Sequence, residues 1–278
     1  MLASVKIPST VTLIGETDDQ FILDKDGEPT NKKNTDETIF KGCTKLVEVV
    51  NLSGVQVATP DSNATIITSG DSTVEITDYV FYGEAGNYTL IQYIGEETRL
   101  TLPESYKGEQ YNIRANAFDG SALKYVKITS GVKSIGDYAF NRCRSLATVE
   151  FEEGVESIGD YAFYYTPISE ITLPTTIKSI GRYAFNSCGG LKTVNLNEGL
   201  KVIDSAAFGA CSALNKINLP STLETVGTYV FNGAINLKTI TIPSSLKVIN
   251  DYMFNGCSGL ESVEIENGVN TISFMAFR

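Results

Sequence analysis

Phenylalanine recurs at a nearly fixed interval through the second half of this chain. Successive members of the series are 22 or 23 residues apart: Phe118, Phe140, Phe163, Phe185, Phe208, Phe231, Phe254 and Phe277. An isoleucine or valine lies five residues before each of them. Self-similarity at a fixed period of 20–50 residues is the signature of a solenoid or another array of stacked repeats. The interval therefore predicts a repeat fold before any secondary structure is assigned.

Each unit of the repeat contains two short strand patterns and no helix pattern. The segment LKTVNL (191–196) alternates apolar and polar residues, and proline follows such segments at 174, 220 and 243. Proline cannot donate to a β-ladder and so belongs at a strand end. A second alternation, such as IKSIG (177–181), follows. Stacking these units about 4.8 Å apart predicts short parallel β-strands on two faces, little α-helix and a continuous core.

The repeat is regular over 113–278 and irregular over 1–112. We interpret the first part as N-terminal coils with insertions, because terminal repeats of a solenoid cap its core and are atypical. One insertion, 16–37, contains Asp26-Gly27 between short runs, which predicts a hairpin. The segment 75–81 fits the repeat again. At the other end the sequence stops in mid-unit after Phe277, which we interpret as a truncated repeat.

Composition excludes most catalytic systems. The chain has no histidine, so Ser-His-Asp and Cys-His nucleophiles and histidine metal sites are excluded. Glu150 and Glu264 lie five coils apart, about 24 Å at the usual strand spacing, which is too far for a glycosidase pair. Glu150 and Glu170 are closer but lie on an open sheet where nothing would desolvate them, so we expect no enzyme and no cofactor. The net charge of −11 disfavours nucleic acid and anionic lipid as partners. No stretch approaches the ~20 apolar residues that span a bilayer, so we expect no membrane insertion.

The five cysteines each lie three residues after a phenylalanine: Cys43, Cys143, Cys188, Cys211 and Cys257. A position locked to the repeat predicts small buried side chains, a role that free cysteine fills well. Cys188 and Cys211 occupy adjacent coils, so a disulfide between them is an open alternative. A zinc site would need four ligands together, and we expect no metal site.

Tyrosine forms a second series two residues before the phenylalanines: Tyr138, Tyr161, Tyr183, Tyr229 and Tyr252. An aromatic row on a surface could hold the rings of a glycan. The alternative, which the strict repeat position favours, is that each ring packs on its neighbour at a corner of the coil with its hydroxyl in water.

The first strand of each unit presents its outward positions as two polar rows. They comprise Lys127, Glu150, Thr172, Asn195, Asn218, Thr241 and Glu264, with Thr193 and Lys216 in the row beside them. Period two places these residues on the outside of the sheet, one per coil. If the sheet is the binding side of the solenoid, these rows contact a partner. The alternative is a solvated face without a partner.

The units LPTTIKSIGRYAFNSC (173–188) and LPSTLETVGTYVFNGA (219–234) resemble the BspA-like leucine-rich repeats of the Treponema pallidum type. The period of about 23 falls within the 20–29 residues of leucine-rich repeats. The resemblance covers 113–278 strongly and 1–112 patchily. It implies a leucine-rich-repeat solenoid on a secreted or cell-surface protein of a host-associated bacterium. It also implies adhesion to host matrix or to other microbes, and it carries no catalytic motif.

We therefore expect a non-catalytic, extracellular or surface-attached protein that binds an extracellular protein or matrix ligand. A structural stalk that presents another domain is the first alternative. Glycan binding along the tyrosine row is the second.

Overall fold

The computed structural model describes residues 78–93 and 95–278 in full and, before them, only the backbone of six strands. These are β1 (Ser4–Ile7), β2 (Gln20–Leu23), β3 (Pro29–Asn34), β4 (Glu48–Asn51), β5 (Thr65–Thr68) and β6 (Glu75–Ile76). Backbone contacts divide the chain into two compact units, 1–75 and 76–278, which are treated separately below. Cys43 and the Asp26-Gly27 turn lie outside the described residues.

The first unit combines parallel pairing with one hairpin. Strands β1, β4 and β5 pair in parallel, as stacked coils require. Strands β2 and β3 pair antiparallel, with Gln20 opposite Asn34 and Leu23 opposite Pro29. This pairing agrees with the hairpin predicted from the sequence of the 16–37 insertion.

The second unit is a β-solenoid of about eight stacked coils, and residues 78–93 and 95–278 contain no helix. It begins with β7 (Tyr79–Tyr82) and β8 (Tyr88–Tyr93). Each coil then contributes one strand to each of two faces. The first face, called the strand face below, consists of β9 (Arg99–Thr101), β11 (Tyr125–Ile128), β13 (Thr148–Phe151), β15 (Glu170–Thr172), β17 (Thr193–Asn195), β19 (Lys216–Ile217), β21 (Thr239–Ile242) and β23 (Ser262–Ile265). The opposite face consists of β10 (Tyr111–Ile113), β12 (Val132–Ile135), β14 (Ser157–Ile158), β16 (Ser179–Ile180), β18 (Val202–Ile203), β20 (Thr225–Val226), β22 (Val248–Ile249) and β24 (Thr271–Ile272).

The coils pair in parallel on both faces, with a shift of register between β10 and β12 at Tyr111. On the opposite face, β8 through β20 form one continuous sheet in which Ile158 pairs with Ile180 and Ile203 with Val226. The strand face is divided into three shorter sheets, β9–β11–β13, β15–β17–β19 and β21–β23. The predicted fold class, a leucine-rich-repeat solenoid of parallel strands on two faces, is confirmed.

The segment 75–81 does not form the regular coil that its sequence pattern predicts. Instead β7 runs antiparallel to β8, with Tyr79 opposite Tyr93. Gly83, at φ +121°, opens the reversal between the two strands, and an added Cβ there would lie 2.3 Å from the carbonyl oxygen of Asn87. Glycine is the residue that adopts such a conformation without steric cost. The glycine-rich turn thus determines the direction of the chain here, although the apolar pattern alone predicts a regular coil.

The phenylalanine series forms a stacked column inside the coils. Phe140, Phe163, Phe185 and Phe208 are fully buried. Ring centroids of successive members lie 5.1, 5.2 and 5.4 Å apart with planes within 4° of parallel. Buried leucines, isoleucines and valines from both faces surround the column in one cluster. The prediction that this series fills the core at a corner is confirmed.

Backbone hydrogen bonds join the corner around each phenylalanine to the next coil, just as they join neighbouring strands. The backbone N–H of Phe163 donates to the carbonyl of Ala184 at 2.7 Å, and that of Tyr161 donates to Arg182 at 2.7 Å. Alternate residues of the corner thus donate to the next coil. This arrangement requires residues with a left-handed backbone on either side of the phenylalanine, here Tyr161 (φ 55°) and Tyr165 (φ 57°). A left-handed L-residue costs roughly 1–2 kcal/mol. Hydrogen bonding between coils therefore extends through this corner, at a steric cost in each unit.

The four described cysteines are buried and unbonded to one another. Each thiol donates to the carbonyl of the phenylalanine in the preceding coil, as from Cys211 to Phe185 at 3.2 Å and from Cys188 to Phe163 at 3.2 Å. Thr166 occupies the cysteine position in the coil of Phe163, and its hydroxyl donates instead to the phenylalanine of its own coil, Phe163, at 2.9 Å. The interpretation of these cysteines as structural thiols is confirmed, and the alternative disulfide between Cys188 and Cys211 is not formed.

At the corner after the strand face, glutamate carboxylates accept hydrogen bonds from the next coil. Glu153 accepts from the backbone N–H of Thr175 at 3.1 Å and from its hydroxyl at 2.8 Å. Glu198 accepts the same pair from Ser221, at 3.1 and 3.0 Å. Backbone hydrogen bonds, the largest effect, lower the pKa of both carboxyl groups.

We expect these two carboxylates to make the protein less stable in acid. A carboxyl group whose pKa is lowered by folding stabilises the folded state above its unfolded pKa of about 4.3, and the stabilisation is lost as pH falls through the lower folded pKa. The melting temperature should therefore fall between about pH 5 and pH 3. In the Glu153→Gln, Glu198→Gln variant the fall should be smaller, because glutamine has no carboxylate to protonate. Equal pH profiles, measured by circular dichroism, would contradict the role assigned to these bonds.

Candidate functional site

From β9 to β21, buried residues of the strand face alternate with outward ones. Val149, Ile171, Val194 and Ile217 point into the core and are at most 5% exposed. The nine residues predicted as strand-face rows occupy outward positions, exposed or half-buried. They are Lys127, Glu150, Thr172, Thr193, Asn195, Lys216, Asn218, Thr241 and Glu264. The structure thus brings them together on one surface.

The N-terminal part of this surface is an interlocked cluster. The Tyr125 hydroxyl donates to Glu150 at 2.8 Å, and the guanidinium of Arg99 lies 4.3 Å from the centroid of the Tyr125 ring. Partial burial and, secondarily, the bond to Glu150 raise the pKa of Tyr125. Beside them, the Lys127 ammonium lies 2.6 Å from the Glu152 carboxylate, a contact that raises the lysine pKa and lowers the glutamate pKa. These side chains hold one another in place.

The middle of the surface has the polar groups with the fewest partners. Asn195 donates to Thr172 at 2.9 Å, and further along the Thr241 hydroxyl donates to Glu264 at 3.3 Å. Three predicted residues make no side-chain hydrogen bond or ion pair within residues 78–93 and 95–278. They are Thr193, Lys216 and Asn218. The sequence analysis did not predict that polar side chains of neighbouring coils bond to each other. The signal that could have shown this is the spacing of one repeat between donors and acceptors on the strand face.

The tyrosine series forms two stacks at the outside of the corner. Tyr161 lies between Tyr138 and Tyr183, with centroids 4.8 and 4.7 Å away. Tyr229 and Tyr252 stack at 4.6 Å, and Ala206 separates the two groups. Since the inner rings have both faces covered, only the ends of a stack can offer a ring face to a ligand. The packing of each ring on its neighbour matches the second of the two interpretations of this row.

One stack ends in a depression of about 440 Å³ that the sequence did not predict. Its lining is Asn116, Asp119, Tyr138, Asn141, Arg142, Tyr161 and Tyr164. The signal for it is the unit that begins at Phe163. That unit reads FYYTP where FNRCR and FNSCG stand in its neighbours.

Two kinds of site are not found in the described part of the chain. Residues 78–93 and 95–278 hold no group of three cysteine, aspartate or glutamate side chains placed to bind a metal ion. The same residues contain no helix long and apolar enough to cross a membrane.

Comparison with known proteins matches the repeats to one family. The profile of the BspA type leucine rich repeat region matches residues 111–233 and 187–278, in six copies. The crystal structure of the Treponema pallidum leucine-rich repeat protein is 23% identical, with a TM-score of 0.54, over 72% of this chain and 86% of that one. A leucine-rich repeat protein from Eubacterium ventriosum is 20% identical, also with a TM-score of 0.54, over 100% of this chain and 82% of that one. A search of curated proteins found no match.

Proposed function

The chain belongs to the BspA-type leucine-rich repeat family, and we propose from this premise that it is a non-catalytic adhesive module of a secreted or surface-attached bacterial protein. The proposed partner is an extracellular protein or matrix component. The proposed binding surface is the strand face. The observation that carries the proposal is the group of unpaired polar side chains at the centre of that face.

The centre of the strand face is where a partner gains most from polar contact. Thr193, Lys216 and Asn218 can be bonded by a partner without breaking a bond within the described residues. The parallel strands β17 and β19 fix the backbones of Thr193 and Lys216, so little backbone freedom is lost on binding. Such a surface presents hydrogen-bonding groups in a fixed arrangement, one coil apart.

The N-terminal cluster provides an aromatic anchor on the same face. Tyr125 and Arg99 are of the residue types that dominate binding energy at protein interfaces. Their stacking and the bond from Tyr125 to Glu150 hold both in one arrangement before a partner arrives. Tyr125 lies three coils from Thr193, or about 14 Å at the usual strand spacing. A protein interface of ordinary size spans that distance.

The test is binding of the full chain to immobilised fibronectin, laminin and collagen, measured by biolayer interferometry. We expect at least one of these proteins to bind. In the Thr193→Ala, Lys216→Ala, Asn218→Ala variant we expect binding to weaken at least about tenfold, since each tenfold corresponds to ~1.4 kcal/mol. These exposed substitutions should leave the melting temperature nearly unchanged.

Lys178→Ala is the matched control, because it removes the same charge from the opposite side of the coil, where Lys178 is exposed next to β16. It should bind as the unmodified chain does. If the triple variant binds normally, the strand face is not the binding surface. If no matrix protein binds the folded chain, the adhesion proposal is wrong and the stalk hypothesis is favoured.

A further inference from the structure

The coil that begins at Phe163 departs from the repeat at its corner. Like the coil that begins at Phe118, it is one residue shorter before its strand, with Ile168 five residues after the phenylalanine where five other units have leucine at six. The strand face is interrupted here, between β13 and β15. Two adjacent tyrosines, Tyr164 and Tyr165, occupy the corner, and Tyr165 is 51% exposed. This coil therefore adds two tyrosines to the outside of the corner.

Tyr164 closes one end of the 440 Å³ depression at the tip of the tyrosine stack. The floor is Asn141, which is 8% exposed and donates its amide N–H to Asp119 at 2.8 Å. Arg142 forms a wall and makes no ion pair within residues 78–93 and 95–278. The site thus has a carboxylate, an amide and a guanidinium at one opening, and its volume lies in the range of ligand pockets.

Tyr138 gives this depression a ring face that no other ring covers. The ring face of Tyr138 that points to the next coil stacks on Tyr161, with centroids 4.8 Å apart. In the preceding coil the equivalent position is Asn116, which has no ring to cover the other face. Both residues have left-handed backbones, φ 56° and 62°, so the corner geometry is the same and only the side chain differs. Tyr138 is 38% exposed. Its free face and polar neighbours are the combination that ligand sites use for orientation and specificity.

We propose that this depression binds a neutral sugar ring of a glycan. The apolar face of a pyranose would lie on the free face of Tyr138. Its hydroxyl groups would donate to Asp119 and accept from Arg142 and Asn116. A neutral ligand is favoured over an acidic one because the Asp119 carboxylate offsets the single Arg142 charge. This site lies at the corner of the coil and is independent of the strand-face proposal.

The experiment is saturation-transfer difference NMR on the full chain with lactose, N,N′-diacetylchitobiose and maltotriose at millimolar concentration. We expect saturation of the ring protons of at least one sugar. In Tyr138→Ala we expect the apparent affinity to fall at least about tenfold. Alanine is compatible with this backbone position, because Ala206 occupies it at φ 55° two coils beyond Tyr161. Tyr252→Ala is the matched control, since that ring is covered by Tyr229 on one face and by the edge-on Phe274 at 5.6 Å.

Two further variants test the polar half of the site. Arg142→Gly suits its backbone, because Gly233 and Gly256 occupy the same position of other coils with positive φ. Asp119→Asn keeps an acceptor for Asn141 and removes the charge. Each should weaken sugar binding several-fold.

Sialyllactose and a heparin tetrasaccharide are the acidic probes. If only these two bind, and Arg142→Gly abolishes their binding, the assignment of a neutral sugar is wrong. No transfer to any probe, or unchanged transfer in Tyr138→Ala, would overturn the site itself.

Discussion

Phe208→Ala is expected to lower the free energy of unfolding of this protein by about 3–5 kcal/mol, the usual cost of removing a buried aromatic ring. Phe208 is fully buried and stacks between Phe185 at 5.4 Å and Phe231 at 6.1 Å. Its removal leaves a cavity in the middle of the column, where coils on both sides are fixed by hydrogen bonds and cannot close it. Urea unfolding followed by circular dichroism measures the loss.

The control for this substitution is Phe277→Ala at the same position of the last coil. Phe277 stacks on Phe254 at 5.1 Å but is 43% exposed, so a smaller loss is expected there. A loss below about 0.5 kcal/mol at Phe208, typical of a surface substitution, would be incompatible with the column as the core of the fold.

The described cysteines are expected to react with a thiol reagent such as dithionitrobenzoate more than about a hundredfold more slowly than an unfolded cysteine. Burial raises the pKa of Cys188 and of Cys257 to about 11, and it raises that of Cys211 well above its ordinary value. The thiolate is the reactive form, so at pH 8 ionisation alone accounts for roughly this factor. The Cys43→Ser background confines the assay to the four described thiols.

The four described cysteines are also expected to differ from one another in their rate of reaction with the thiol reagent. Cys257, at 9% exposure, lines a depression at the last coil together with Phe277, whereas Cys188 and Cys211 are fully buried. Cys257 should therefore react first, and mass spectrometry of partly labelled protein identifies the order. In guanidinium all four should react at one rate. Rapid labelling of Cys188 or Cys211 in the native protein would contradict their burial.

The sequence was sufficient for the architecture because the core repeats with the coil. From Phe140 to Phe254, the phenylalanines, the isoleucines or valine five residues earlier and the cysteines three residues later are buried in the same environment of each coil that has them. A residue that packs against the equivalent residues of the neighbouring coils recurs in the sequence at a fixed interval. The hairpin of β7 and β8 was missed because a single glycine-rich turn, at Gly83, decides the chain direction there.

The surface was less predictable because its contacts join unlike residues one coil apart. Nothing in the period indicates that Tyr125 bonds to Glu150 or that Lys127 pairs with Glu152. The depression beside Tyr138 arises from one tyrosine missing at Asn116 and one added at Tyr164. Such sites are found in departures from the repeat, and they require the register between neighbouring coils to be known.

The orientation of the hydrogen bonds between coils has a mechanical consequence. Within 95–278 these bonds run along the stacking axis, on both faces and through the phenylalanine corner. A force applied along that axis would load the bonds of one coil at a time, as in a zipper, because each coil contacts only its neighbours. Each coil that peels away would add about 75 Å of extended chain. Under tension such a module would lengthen in steps at low force while its remaining coils, and any ligand bound to them, stay in place.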